Sequence, residues 1–130
     1  MYTEVTQDVK VDVTPVFLDT ESRPQEGHFT WAYKITITNM GSLTVQLMNR
    51  YWRIVDSRGG QEEISGPGVV GEQPVLAPGE TYSYESGCPL KPPSGIMMGH
   101  YEMVNEAGMP FHAKVPAFSL DSPYDVSDYH

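Results

Sequence analysis

The sequence predicts an all-β fold, an antiparallel sandwich of about seven strands. Three observations carry that prediction. Apolar residues alternate with polar ones at period two in segment after segment, and almost nowhere at the 3.6-residue spacing of a helix. Clusters of glycine, proline and asparagine punctuate those segments at short, regular intervals. No repeat or linker divides the chain, so one domain is expected over residues 1–130, with the sandwich at about 3–120 and a loose acidic tail at 121–130. A small barrel is the alternative that the same pattern allows.

Each element has its own reason. Val9, Val11 and Val13 alternate with Lys10, Asp12 and Thr14, and Phe17 keeps the parity beyond Pro15, which predicts a first strand bent or bulged at that proline. Phe29, Trp31, Tyr33, Ile35 and Ile37 form the clearest stripe, and Asn39-Met40-Gly41-Ser42 ends it in a turn. In the next strand, about 43–56, Val45 and Leu47 have odd numbers whereas Trp52 and Ile54 have even ones. A parity switch inside one strand needs an extra residue, so a β-bulge is expected near Asn49-Arg50. Ser57-Arg58-Gly59-Gly60 then turns the chain into a short polar return strand at 61–65.

Leu76-Ala77-Pro78-Gly79-Glu80 makes another turn before a strand at 81–86, and Pro89, Pro92 and Pro93 mark 87–95 as a stiff connection. Strands at 96–104 and 109–120 close over Asn105-Glu106-Ala107-Gly108. Leu76-x-Pro78-Gly79 ahead of one strand and Gly99-x-Tyr101 in the next suit a tyrosine corner, in which the phenol bonds back to the preceding connection. The competing reading makes Tyr101 one more half-buried strand aromatic.

Composition bounds the function. Hydrophobic residues at 39% and charged residues at 19% are globular proportions. Seventeen acidic against eight basic residues give a net charge of −9, which disfavours nucleic acid and anionic membrane, and Arg50, Arg53 and Arg58 are a thin basic cluster. The single cysteine, Cys88, excludes an internal disulfide and a multi-cysteine zinc site. No leader-like basic-then-apolar run opens the chain, and no apolar stretch approaches the roughly 20 residues of a membrane span, so a cytoplasmic protein is expected.

Gly66, Gly68 and Gly71 spell G-x-G-x-x-G, the spacing of a dinucleotide-binding turn. That turn needs a helix leaving it, and Pro67, Pro74 and Pro78 forbid one. Capture of a phosphate by backbone N–H groups is conceivable without a helix, but Pro67 removes a donor and Glu72 adds repulsion. The remaining readings are compatible: a tight loop with Val69 and Val70 pinned to the core, and a surface presented to a partner by Gly66, Gly68, Gly71, Glu72, Gln73 and Arg50. Arg50 and Tyr51 form an outward contact patch on one reading, and Arg50 pairs with Glu72 or Glu85 on another.

No histidine pair has metal-ligand spacing. His100 and His112 fall on neighbouring strands, and face each other if the turn centres on Glu106-Ala107, where they would share a cation weakly with Glu102. Asp121, Asp125, Asp128 and His130 in the tail are a second weak set, more simply read as solvated charge. Cys88 has no base marked beside it, so neither catalysis nor a cofactor is expected.

The stretch from Trp31 to Phe111 resembles the ApaG family. The likeness rests on Trp31-Ala32-Tyr33 with Asn39, on Val45-Gln46-Leu47 and Arg50-Tyr51-Trp52, and on Gly66-x-Gly68-Val69-Val70-Gly71-Glu72-Gln73-Pro74. It continues through Leu76-x-Pro78-Gly79-Glu80, Tyr82-x-Tyr84-x-Ser86-Gly87, Met98-Gly99-His100-Tyr101-Glu102-Met103 and Pro110-Phe111. Pro67 departs from a position often acidic in the family. The resemblance implies an immunoglobulin or fibronectin type III-like sandwich with no established enzymatic activity. It also implies a small cytoplasmic protein linked genetically to cobalt resistance and to magnesium homeostasis and efflux, or, in eukaryotes, a partner-binding appendage of F-box and polymerase-interacting proteins. The expected function is therefore a non-enzymatic interaction module with an unidentified protein partner, able to dimerise through edge strands. The alternative is a sensor of divalent cations or phosphorylated metabolites.

Overall fold

Where apolar residues alternate, strands form, and their inner faces meet. The computed structural model describes residues 1–125. One antiparallel sheet runs in the order β1 (Tyr2–Thr6), β2 (Val9–Phe17), β3 (Phe29–Asn39), β7 (Thr81–Leu90). The other runs β5 (Gln61–Pro67), β4 (Val45–Asp56), β8 (Gly95–Asn105), β9 (Pro110–Leu120), and the two-residue β6 (Val75–Leu76) pairs with β4 beside that path. Together they make the predicted antiparallel sandwich. The seven expected strands are all present, and β1 and β6 are additional.

β1 has a weak sequence signal because its hairpin turn, Gln7-Asp8, lacks glycine. Both residues take positive φ, 45° and 65°, in a two-residue turn that usually recruits Asn-Gly. The Asp8 carbonyl accepts a hydrogen bond from Met40 N at 2.8 Å, tying the turn to the one that follows β3.

The core lies between the sheets. The stripe from Phe29 to Ile37 is buried at every second residue and packs with Val9, Val11 and Val13 against Leu47, Trp52, Tyr101, Met103 and Phe118. Trp52 meets Tyr33 of the opposite sheet and Tyr101 and Phe118 of its own edge-on, at centroid separations of 5.6, 6.2 and 6.2 Å. Asn39, 1% exposed, ends the stripe with every polar atom engaged: Nδ2 donates to the carbonyls of Leu43 and Leu76, and Oδ1 accepts from Gly41 N.

Several elements differ from the sequence reading. The bulge in β4 falls between Leu47 and Asn49, so Met48 is the extra residue, one position earlier than expected. Pro15 produces no bulge, since β2 and β3 pair without a register shift from Val9 to Phe17. Its missing N–H costs little there because β1 pairs with β2 only as far as Val13. β7 continues through Gly87 and Pro89 to Leu90, with Pro89 opposite Thr30; an edge strand tolerates the proline. β9 carries an unforeseen register shift against β8, where buried parity changes from Ala113 and Val115 to Phe118 and Leu120, on either side of Pro116.

The tail expected to be loose makes defined contacts over its described part. Trp31 Nε1 donates to the Asp121 carbonyl at 2.7 Å, Ser122 Oγ to the Pro93 carbonyl at 2.6 Å, and the Tyr124 ring packs against Phe17 and Phe29.

Tyr101 makes no tyrosine corner. Its hydroxyl lies 2.5 Å from that of Tyr84, so the bond crosses the sandwich from β8 to β7 instead of returning to a connection. Burial is the main cause that pushes both phenols above the usual tyrosine pKa. A raised folded-state pKa gives stability that is complete below the unfolded value, about 10, and is lost as pH rises beyond it. Denaturant unfolding should therefore show lower stability at about pH 11 than at about pH 8, and Tyr84→Phe should flatten that dependence. Equal slopes in wild type and variant would exclude the phenol pair as its source.

Candidate functional site

The extra residue in β4 builds the most elaborate loop of the molecule. Met48 turns its carbonyl outward, where it accepts from Gly68 N and from Gln73 Nε2, each at 2.9 Å. Leu47 N donates to the Pro74 carbonyl and Gln46 Nε2 to the Gln73 carbonyl, so residues 68–74 hang from β4 at both ends. Inside the loop, Val69 N donates to Glu72 O and Glu72 N to Val69 O, closing a two-residue turn at Val70-Gly71. Gly68 must be glycine: φ is +61° and a Cβ would sit 2.1 Å from the Glu72 carbonyl oxygen. Gly71, at φ +81°, has open space around it.

Val70 departs from expectation. Val69 is buried in the core, but Val70 is 59% exposed and held at φ +44°, a conformation in which a β-branched side chain is strained. Gln73 and Glu72 are both exposed, but the Gln73 amide is spent on the Met48 carbonyl. The N–H groups of Gly68, Val69 and Glu72 all donate within the chain, so these three are spent on the loop itself. Only a 3₁₀ turn, Pro24–Glu26, is helical among the described residues, so no helix follows Gly71.

Arg50 shares parity with Trp52 and Ile54 and points inward. Its Nη1 donates to the carbonyls of Pro67 and Gly68 at 3.0 and 3.1 Å, and Gly66 leaves room for the guanidinium, since a Cβ there would lie 3.2 Å from both terminal nitrogens. Pairing with Glu72 or Glu85 does not occur, and Arg50 has no ion pair among the described residues. Tyr51 faces the opposite side of the sheet and stacks on His100, although both residues border a shallow depression that also takes in Glu102 and His112. Beside Arg50, a cavity of about 330 Å³ opens between the edge strands β5 and β7, over Tyr33, Trp52, Val69, Tyr84 and Cys88. Burial, then the charge of Glu62, pushes the Cys88 thiol up to about 11, so it stays protonated and a poor nucleophile at neutral pH.

On the outer face of the other sheet, His100, Glu102 and His112 converge, each offering a ligand atom within 4.8 Å of the others. His112 pairs directly with Glu102, and His100 with Lys114, so the expected face-to-face register of the two histidines is displaced. Their rings still stack at 4.2 Å and 10°. Asn49 Nδ2 donates to Glu102 Oε1, and Glu102 Oε2 lies 3.8 Å from His112 Nε2. Burial, followed by the neighbouring His112, lowers the pKa of His100, which favours the neutral imidazole that binds metals. Among the described residues this is the one cluster of three such groups; Asp128 and His130 of the tail lie outside them.

Residues 19–105 match the family described as the ApaG domain. The chain is 55% identical over 125 residues to Protein ApaG of Paramagnetospirillum magneticum, covering 96% of each. It is 53% identical over 123 residues to Protein ApaG of Rhizobium meliloti, covering 95% of each. Its fold is similar to a crystal structure of an ApaA protein from Bordetella pertussis, with a TM-score of 0.87, 44% identity, and coverage of 91% of this chain and 96% of that one.

Two glycines of the loop should separate by mechanism. Gly68→Ala meets a backbone oxygen and should cost about 2 kcal/mol or more, whereas Gly71→Ala should cost about 1 kcal/mol for positive φ alone. Urea unfolding of both variants checks the order, and its reversal would contradict the loop geometry.

Proposed function

The chain belongs to the ApaG domain family, and on that premise we propose that it is a non-enzymatic cytoplasmic module that captures a protein partner through residues 68–74. Val70 carries this reading. A β-branched residue in the left-handed region costs on the order of 1–3 kcal/mol, and strain of that size gathers where a site requires it. The exposed isopropyl group gains little in the free protein, but a pocket closing over it would bury it. The loop is already held by Met48, Leu47 and Gln46, so binding orders little additional chain. Glu72 beside the tip favours a basic rim on the partner. A buried, protonated Cys88 fits the absence of nucleophilic chemistry in this reading.

Val70→Asn tests it with two readouts that move in opposite directions. Asparagine tolerates positive φ, so unfolding stability should rise by about 1 kcal/mol. Affinity capture from the native host should lose a partner that the wild-type chain retains. Equal recovery by both proteins, or no reproducible partner, would overturn the proposal.

A second reading, cation binding, is favoured by the convergence of His100, Glu102 and His112. Two imidazoles and a carboxylate suit zinc, cobalt or iron better than magnesium, which prefers oxygen ligands. Calorimetry should then detect zinc and cobalt but not magnesium at about 1 mM. His112→Ala should abolish the signal. No heat from any of the metals would sink this reading.

A further inference from the structure

We propose that the cavity between β5 and β7 binds a small carboxylate with an aromatic or branched apolar body, and that Arg50 is its carboxylate-binding residue. The proposal rests on charge, shape and position. Acidic residues outnumber basic ones by 17 to 8, yet Arg50 has no carboxylate within ion-pair distance among the described residues. An inward-facing cation at the rim of a core is costly unless it meets an anion, and two backbone carbonyls supply only partial charge. Both of its hydrogen bonds leave from Nη1, so the guanidinium keeps donors for a ligand while its orientation is already set. The bidentate geometry of guanidinium matches a carboxylate.

The rest of the cavity suits the other end of such a molecule. Trp52, Ile54, Val69 and Met97 give it an apolar lining. Tyr33 and Tyr84 face it as neutral phenols; burial raises both pKa values and the nearby Arg50 charge opposes that rise, which places the cation close to the two rings. Tyr84 is held in place by its bond to Tyr101. Glu62 also lines the cavity and acts on Cys88, so that end repels a second negative charge and disfavours a phosphate dianion. About 330 Å³ lies at the small end of the range for ligand pockets, suited to one ring and a short acid rather than a nucleotide.

Phenylacetate, its neutral analogue phenylacetamide, and phenyl phosphate test the proposal on the full chain by two-dimensional NMR. Phenylacetate should shift signals of Tyr33, Trp52, Tyr84 and Cys88 saturably below about 10 mM, with the amide and the phosphate at least about tenfold weaker. Trp31, whose indole N–H is bonded to the Asp121 carbonyl, should not respond. Arg50→Gln should abolish the preference for acid over amide, and Arg50→Lys should retain part of it. Because Arg50 also supports the glycine loop, the wild-type comparison decides by itself if these variants fail to fold. No saturable shift with phenylacetate, equal affinity for the amide, tighter binding of the phosphate, or shifts confined to other surfaces would each overturn the proposal.

Discussion

One extra residue in β4 sets the arrangement of everything around it. Before Met48, the odd positions Val45 and Leu47 face the core; after it, the even positions Trp52 and Ile54 do. Without the bulge, one of these pairs would face water, which for two large apolar side chains costs several kcal/mol, at about 1.5–3 kcal/mol each. The same register change turns Arg50 inward and frees the Met48 carbonyl from the ladder to hold the loop after β5. Core packing, the glycine loop and the guanidinium at the cavity are therefore consequences of a single local irregularity.

The two flanks of the sandwich differ for a related reason. On one flank β9 packs against β1 and β2, with Lys114 N bonded to Thr6 Oγ1 and Ser119 N to the Tyr2 hydroxyl. On the other, the edge strands β5 and β7 border the cavity instead of meeting, and the loop with Val70 lies at its rim. The Tyr84–Tyr101 bond and the edge-on contacts of Trp52 hold the sheets together just inside that opening. A surface and a cavity that share Arg50, Val69 and Val70 are thus mechanically joined, whereas the histidine cluster lies on the outer face of the second sheet.

Much of the fold was legible because strand burial has a period of two that sequence displays directly. The stripe from Phe29 to Ile37 and the parity switch in β4 needed nothing beyond residue spacing. Prolines are weaker signals: Pro15 and Pro89 suggest a distorted or ended strand, yet each sits where the strand lacks a neighbour on one side, a fact only pairing reveals. The shift near Pro116 had a visible signal in the change from Ala113 and Val115 to Phe118 and Leu120. The sites were less legible. The parity switch does not say which residue of 48–50 is extra, so the direction of Arg50 is open in the sequence, and the pairing of His100 and His112 depends on a hairpin centre that the turn residues do not fix.

By itself, then, the sequence determined the fold class, seven of the nine strands among the described residues and the impossibility of a nucleotide-binding turn, because these follow from local periodicity and from the backbone limits of proline and glycine. Tertiary structure alone decided that Val70 is presented while Val69 is buried, that Arg50 faces an open cavity with no ion pair among the described residues, and that Tyr101 reaches across to Tyr84. Those outcomes depend on which edges lie side by side once two sheets pack. Residues far apart in the chain meet only through that packing, and no spacing along the chain records it.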